Sequence, residues 1–98
     1  MKNAINYYYN LKPTEIHQIN KIYKFRISNN NYILYPYKRR IQELQDIYEL
    51  HMYINSIGIY CHKIILNNNE QILTYINDEP YVLLLTQTEN RKITIKDI

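Results

Sequence analysis

The sequence predicts an α+β domain: an antiparallel five-stranded sheet with one long helix packed across it, preceded by a short N-terminal helix. Three observations predict it. Short segments of alternating polarity, rich in Ile, Tyr and Val, recur along the chain with Asn-rich turns between them. One central run instead repeats apolar residues every three or four positions. The only glycine, Gly58, stands where that run stops. Consecutive strands joined by short turns favour antiparallel pairing.

Lys2 to Asn10 suits a short helix, with Ala4, Ile5, Tyr8 and Tyr9 on one side and Lys12-Pro13 ending it. From Thr14 an alternation begins that sets Ile16 and Gln18 against Glu15, His17 and Ile19. Lys21 to Ser28 alternates more clearly, Ile22, Lys24 and Arg26 opposing Tyr23, Phe25 and Ile27. Asn29-Asn30-Asn31 reads as the turn of a hairpin, because Asn tolerates left-handed backbone. Tyr32 to Tyr35 is the returning strand, stopped or confined to an edge by Pro36.

Lys38 to Ile57 is the long helix. Its apolar stripe is Ile41, Leu44, Ile47, Leu50 or His51, Ile54 and Ile57, and Gly58 supplies the left-handed residue of its C-terminus. Lys63 to Leu66 and Gln71 to Ile76 follow as strands around Asn67-Asn68-Asn69. Asn77-Asp78-Glu79-Pro80 turns the chain into Tyr81 to Thr86, an apolar run suited to burial on both faces. Gln87 to Lys92 reads as a linker. Thr94 to Asp97 carries a hydroxyl followed three residues on by a carboxylate, a helix-start pattern or else the end of a strand.

The totals bound the function. Ninety-eight residues fit a single domain spanning 1–98, with a modest stability margin. An apolar fraction of 46% with 21% charged residues argues against disorder. A net charge of +3 is too small to imply a nucleic-acid partner. The single cysteine, Cys61, excludes an internal disulfide and suits a reducing compartment. His17, His51, Cys61 and His62 lack zinc-ligand spacing. Neither a signal peptide nor a membrane-spanning stretch is present in the sequence, which therefore reads as intracellular. No cofactor and no metal are expected.

The candidate interaction surface is Tyr7, Tyr8 and Tyr9 with the basic run Lys38, Arg39 and Arg40. Three consecutive tyrosines on a short helix cannot all face inward, so at least one should be exposed. The basic run opposes the dipole of the helix that it precedes, although three cations make a weak patch and a solvated loop explains them. Twelve tyrosines invite a stacking platform, with Tyr23, Tyr32, Tyr75 and Tyr81 as neighbours; filling a sheet core explains them too. His51, beside the apolar stripe, reads as a core histidine. Cys61 and His62 are adjacent on a strand and point to opposite faces, so they cannot act as nucleophile and base.

From Tyr23 to Thr86 the chain resembles the N-terminal lobe of the aminoglycoside-phosphotransferase-like and spore-coat kinase-like proteins. YKFRISNNNYILYPYK gives a strand, a turn and a strand. IQELQDIYELHMYINSIGIYCHKIIL gives the helix and the strand after it, and NNNEQILTYINDEPYVLLLT gives the strands that lead to the hinge. Within that superfamily the tyrosine-rich N-terminus is similar to the YutH-type spore-coat-associated proteins. The resemblance implies a protein-kinase-like upper lobe, with ITIKDI opening a C-terminal lobe near residue 94 and the chain a piece of something longer. It also implies phosphoryl transfer, which needs a glycine loop between the first two strands and a lysine on the third paired with a helix glutamate. Here Gln18 to Lys21 has no glycine and Tyr35 stands near the lysine position, with Glu43 and Glu49 on the helix. The expectation is therefore a non-catalytic domain with a structural or interaction role in the spore. Its expected partners are a C-terminal lobe, other coat proteins or a second copy of itself. The competing expectation is a free-standing binding module that meets a protein or single-stranded nucleic acid through exposed tyrosines and the basic run.

Overall fold

The computed structural model describes residues 1–59 and 62–86. Two helices and six strands follow in the order α1 (Lys2–Tyr9), β1 (Ile16–Ile19), β2 (Ile22–Ile27), β3 (Asn30–Pro36), α2 (Ile41–Ser56), β4 (Lys63–Ile65), β5 (Thr74–Ile76) and β6 (Glu79–Thr86). Every pairing is antiparallel, in the order β1-β2-β3-β6-β4, with β5 also on β6. The expected α+β lobe is present, with six strands in place of five.

The sixth strand is β1, whose mixed alternation leaves it open in the sequence and whose pairing with β2, from Ile16↔Phe25 to Ile19↔Ile22, makes it a strand. β6 is eight residues long, and the two short strands share one of its edges end to end. Thr74 to Ile76 pair with its first residues and Lys63 to Ile65 with Leu83 to Leu85. Its other edge pairs with β3 from Asn31↔Thr86 to Pro36↔Tyr81. β6 is therefore central, and Tyr81, Val82 and Leu83 are all buried, as an uninterrupted apolar run requires.

Alternation along β3 and β6 sends successive side chains to opposite faces. Tyr32, Leu34, Tyr81 and Leu83 join Phe25, Ile76 and the α1 residues Ile5 and Tyr9 in one cluster. Val82 joins Leu44 of α2 and Ile64 in the other, with Tyr35, Tyr48 and Leu84 against it. The sheet is thus sandwiched, α1 on one face and α2 on the other.

α1 stops earlier than the proline implies: Asn10 adopts a left-handed conformation at φ 59° and closes the helix. The helix is then pinned to the loop between β4 and β5. Tyr9 Oη lies 2.7 Å from Thr74 Oγ1, in a buried hydrogen bond. Asn67 Nδ2 donates to the same Thr74 oxygen, while the Asn68 amide and Asn68 Nδ2 donate to the carbonyls of Tyr8 and Tyr7. Asn67 Oδ1 accepts from the Asn69 and Gln71 amides, so one buried asparagine organises the whole loop.

α2 begins at Ile41, not Lys38, because Arg40 is still extended (φ −72°, ψ 138°) and Tyr37 continues the pairing with β6 through its amide to the Pro80 carbonyl. Its end is the expected glycine motif. Gly58 at φ 88° donates to the Asn55 carbonyl and Ile59 to the Ile54 carbonyl. The predicted stripe is only partly used. Leu44 is buried, while Ile41, Ile47, Leu50 and Ile57 stay 42–54% exposed. The seated face runs through Leu44, Tyr48, His51, Ile54 and Asn55, so it takes Leu44, His51 and Ile54 from the stripe read from the sequence and adds Tyr48 and Asn55.

The hairpin turns are tighter than the Asn-rich stretches suggest. Ser28-Asn29 joins β2 to β3, with Ser28 at φ 56°, so Asn30 and Asn31 are strand residues. Asn77-Asp78, both left-handed, joins β5 to β6, so Glu79 and Pro80 belong to the strand. The proposed linker at 87–92 and the helix start at 94–97 lie outside the described residues.

Candidate functional site

The face of the sheet opposite α1 is only half covered by α2, and its open half forms a cleft of about 690 Å³. Strand alternation dictates what lines it. His17 on β1 pairs across to Lys24 on β2, Lys24 pairs to Ile33 on β3, and Asn31 pairs to Thr86 on β6. Arg26 and Glu15 line the same cleft, and the Arg26 guanidinium donates to the Ser28 carbonyl at 3.1 Å. Among the described residues, no ion pair engages Lys24 or Arg26. Alternation in Lys21 to Ser28 sets Lys24 and Arg26 on one side of β2 but does not mark them as a site. The available signal was the recurrence of cations at the exposed parity of adjacent strands.

The turn between β1 and β2 stands where a nucleotide-holding loop would be. It is a two-residue turn, Asn20-Lys21, that closes the Ile19↔Ile22 pair with Asn20 at φ 56°. Gln18 Nε2 donates to the Asn20 carbonyl, and Lys21 Nζ lies 2.8 Å from Glu79 Oε2. The turn is therefore tied down to the start of β6. The Lys21 ammonium, hydrogen-bonded to that carboxylate, has its pKa raised; the Glu79 carboxyl is held below the usual carboxylate range, by Lys21 first and then Lys38.

Tyr35, at the position considered for the strand lysine, faces the α2 cluster, and burial pushes its phenol pKa up. Glu43 pairs with Arg39 at 3.2 Å, and Glu49 is exposed. Among the described residues no lysine–glutamate pair links β3 to α2.

The predicted interaction residues separate into two groups. Tyr7 is 74% exposed and meets Tyr8 edge-on at 4.9 Å, whereas Tyr9 is in the core. These sit against the Asn68 loop. Lys38 instead lies 3.2 Å from Glu79, Arg39 pairs with Glu43, and Arg40 precedes α2 without capping it through its side chain. The tyrosines considered as a stacking platform are not one. Tyr32 and Tyr81 are buried under α1, Tyr23 lies 6.3 Å from Tyr81 on that covered face, and of the four Tyr75 is the exposed one. His51 is half-buried; desolvation first and His62 second lower its pKa, favouring the neutral ring. Cys61 lies outside the described residues.

None of the described helices is long and apolar enough to cross a membrane. A family model described as "Spore coat putative kinase YutH" matches residues 2–97. No curated protein matches the chain.

Proposed function

This chain belongs to the spore coat YutH kinase-like family, and from that premise we propose that it is a non-catalytic domain acting through protein contacts in the sporulating cell or the spore coat. The observation that carries the reading is the tether between Lys21 and Glu79. A kinase-type loop reaches over phosphates because its backbone is long, glycine-rich and free to close. Here the turn has two residues, no glycine, and its lysine is engaged by a carboxylate of the sheet. Tyr35, packed toward Leu44, supports the same reading, since a phenol in that cluster offers no charge to a phosphate.

The proposed partners are a kinase-type C-terminal lobe and other coat proteins. The surfaces available to them are the open sheet face and the exposed Ile47, Leu50 and Ile57 of α2. An unpartnered apolar stripe on a helix is a common mark of a protein interface. Calorimetric titration of the chain with magnesium-ATP tests the catalytic half of the reading. The expected result is no saturable heat; a micromolar dissociation constant would overturn it.

A further inference from the structure

We propose that the groove between α2 and the loop joining β4 to β5 is a docking site for a short peptide segment carrying a bulky apolar side chain beside lysine or arginine. It lies on a surface other than the open sheet face and holds whether or not the domain binds nucleotide.

The groove encloses about 420 Å³, near the lower end of the roughly 300–1,000 Å³ typical of ligand clefts. That is room for one or two side chains. Ile41 and Tyr48 of α2 form one wall and Leu66 and Ile72 the other. Ile41 is 49% exposed, so an apolar occupant would gain burial that the fold leaves unused. Glu49 on the helix and Glu70 on the loop stand at the rim, both exposed. The side-chain amides of Gln45 and Gln71 line the same groove and can bond a peptide backbone.

Charge selects the occupant. The chain as a whole carries +3, yet this rim presents two carboxylates. Among the described residues the ion pairs use Glu43 and Glu79, and none neutralises Glu49 or Glu70. A phosphate-bearing ligand or nucleic acid would be repelled, whereas a basic peptide is attracted.

The backbone at Glu70 strengthens the assignment. Six non-glycine residues among those described have positive φ, and five of them are Asn, Asp or Ser. Those short polar side chains tolerate the left-handed region. Glu70, at φ 59°, is the exception. Its conformation is imposed by the Asn67 loop, in which the Glu70 amide donates to the Asn67 carbonyl at 2.8 Å. A long carboxylate kept at a position that disfavours it is the kind of local strain that gathers at functional surfaces. The loop is also rigid, since Asn67 Oδ1 holds the amides of Asn69 and Gln71. The rim is thus built before any partner arrives.

The test is a peptide array probed with the chain, each peptide holding a central Phe, Leu or Ile flanked by Lys/Arg, by Ala or by Glu. Binding is then measured by fluorescence anisotropy for the chain and for a Glu49→Gln/Glu70→Gln double variant whose thermal melt is checked. Basic-flanked peptides are expected to bind about threefold to tenfold more tightly than Ala-flanked ones, the yield of two partly exposed ion pairs. Glu-flanked peptides should bind weakest. The double variant should lose the preference for basic flanks while retaining its melt. The proposal is overturned if no peptide binds, if the preference survives in the double variant, or if amide shifts on binding map to Lys24 and Arg26 instead of Ile41 and Ile72. Self-association of the chain that Glu70→Gln abolishes, with no peptide binding, would assign the groove to a second copy and overturn it as well.

Discussion

Glu79 Oε2 sits 2.8 Å from Lys21 Nζ and 3.2 Å from Lys38 Nζ, so one carboxylate at the start of β6 joins the β1–β2 turn to the segment leading into α2. All three groups are near the surface, where Coulomb attraction is screened. The consequence is positional: the turn is held against the sheet rather than over it.

Glu79→Gln should lower stability slightly, and the loss should shrink as salt is added. The pH dependence has a definite sign. The carboxyl pKa is lowered in the folded chain, chiefly by its bond to Lys21. Its contribution is therefore complete above the ordinary glutamate value and is lost as pH falls through the lowered one. Urea unfolding from neutral pH into the acid range should show a shallower decline for Glu79→Gln than for the parent chain.

Thr74→Val should cost about 1–3 kcal/mol, because it strands Tyr9 Oη in the core and leaves Asn67 Nδ2 with the Leu73 carbonyl alone. Tyr9→Phe removes one bond and leaves Thr74 with Asn67, so about 0.5–1.5 kcal/mol is expected. Burial raises the Tyr9 pKa, the bond to Thr74 opposing it in part. Stability should thus begin to fall as pH rises past the ordinary phenol value, and that slope should be shallower in Tyr9→Phe. Urea midpoints across the alkaline range check both statements.

Gly58→Ala should destabilise by about 1–2 kcal/mol, the cost of placing a Cβ in left-handed backbone. Nothing lies within 4 Å of that Cβ, so the whole effect is conformational. Gly58→Asn should recover part of it. A larger loss for Asn than for Ala in thermal melts would reject the backbone explanation.

Leu44→Ala should cost about 2–5 kcal/mol, whereas Leu50→Ala should stay within about 0.5 kcal/mol. The two lie on one helix and both match the apolar periodicity, but Leu44 is 1% exposed and Leu50 is 54% exposed. Equal losses by denaturant titration would mean that α2 sits against the sheet through a different face.

The contrast between Leu44 and Leu50 also shows what the sequence conveyed. Periodicity located α2 and Gly58 located its end, because both follow from backbone geometry that any helix must satisfy. Alternation located β2, and an uninterrupted apolar run located β6, for the same reason. Which part of an over-wide apolar stripe is seated depends on the facing sheet, and local pattern does not contain it. The strand count turned on β1, whose mixed alternation leaves it open in the sequence and whose pairing with β2 settles it; that β4 and β5 share one edge of β6 is again a matter of tertiary arrangement. The candidate surface was legible at Tyr7, where three adjacent tyrosines forced one outward. The polar cleft was not, since Glu15, His17, Lys24 and Arg26 meet only through the β1–β2 register. Neither was the acidic rim, because Glu49 and Glu70 lie on different elements.

Among the described residues β6 is the last strand in chain order, yet it is flanked by strands on both edges and its Tyr81, Val82 and Leu83 are buried. Asn31 cannot find Thr86 until more than fifty residues between them have left the ribosome. Until then β3 is an unpaired edge, and Leu34 and Phe25 lack the floor that Leu83 and Tyr81 supply. Synthesis should therefore proceed through an aggregation-prone hairpin that is resolved in a single late event. Ribosome-bound chains halted before Tyr81 should remain protease-sensitive throughout, while those that expose Thr86 should become resistant in one step.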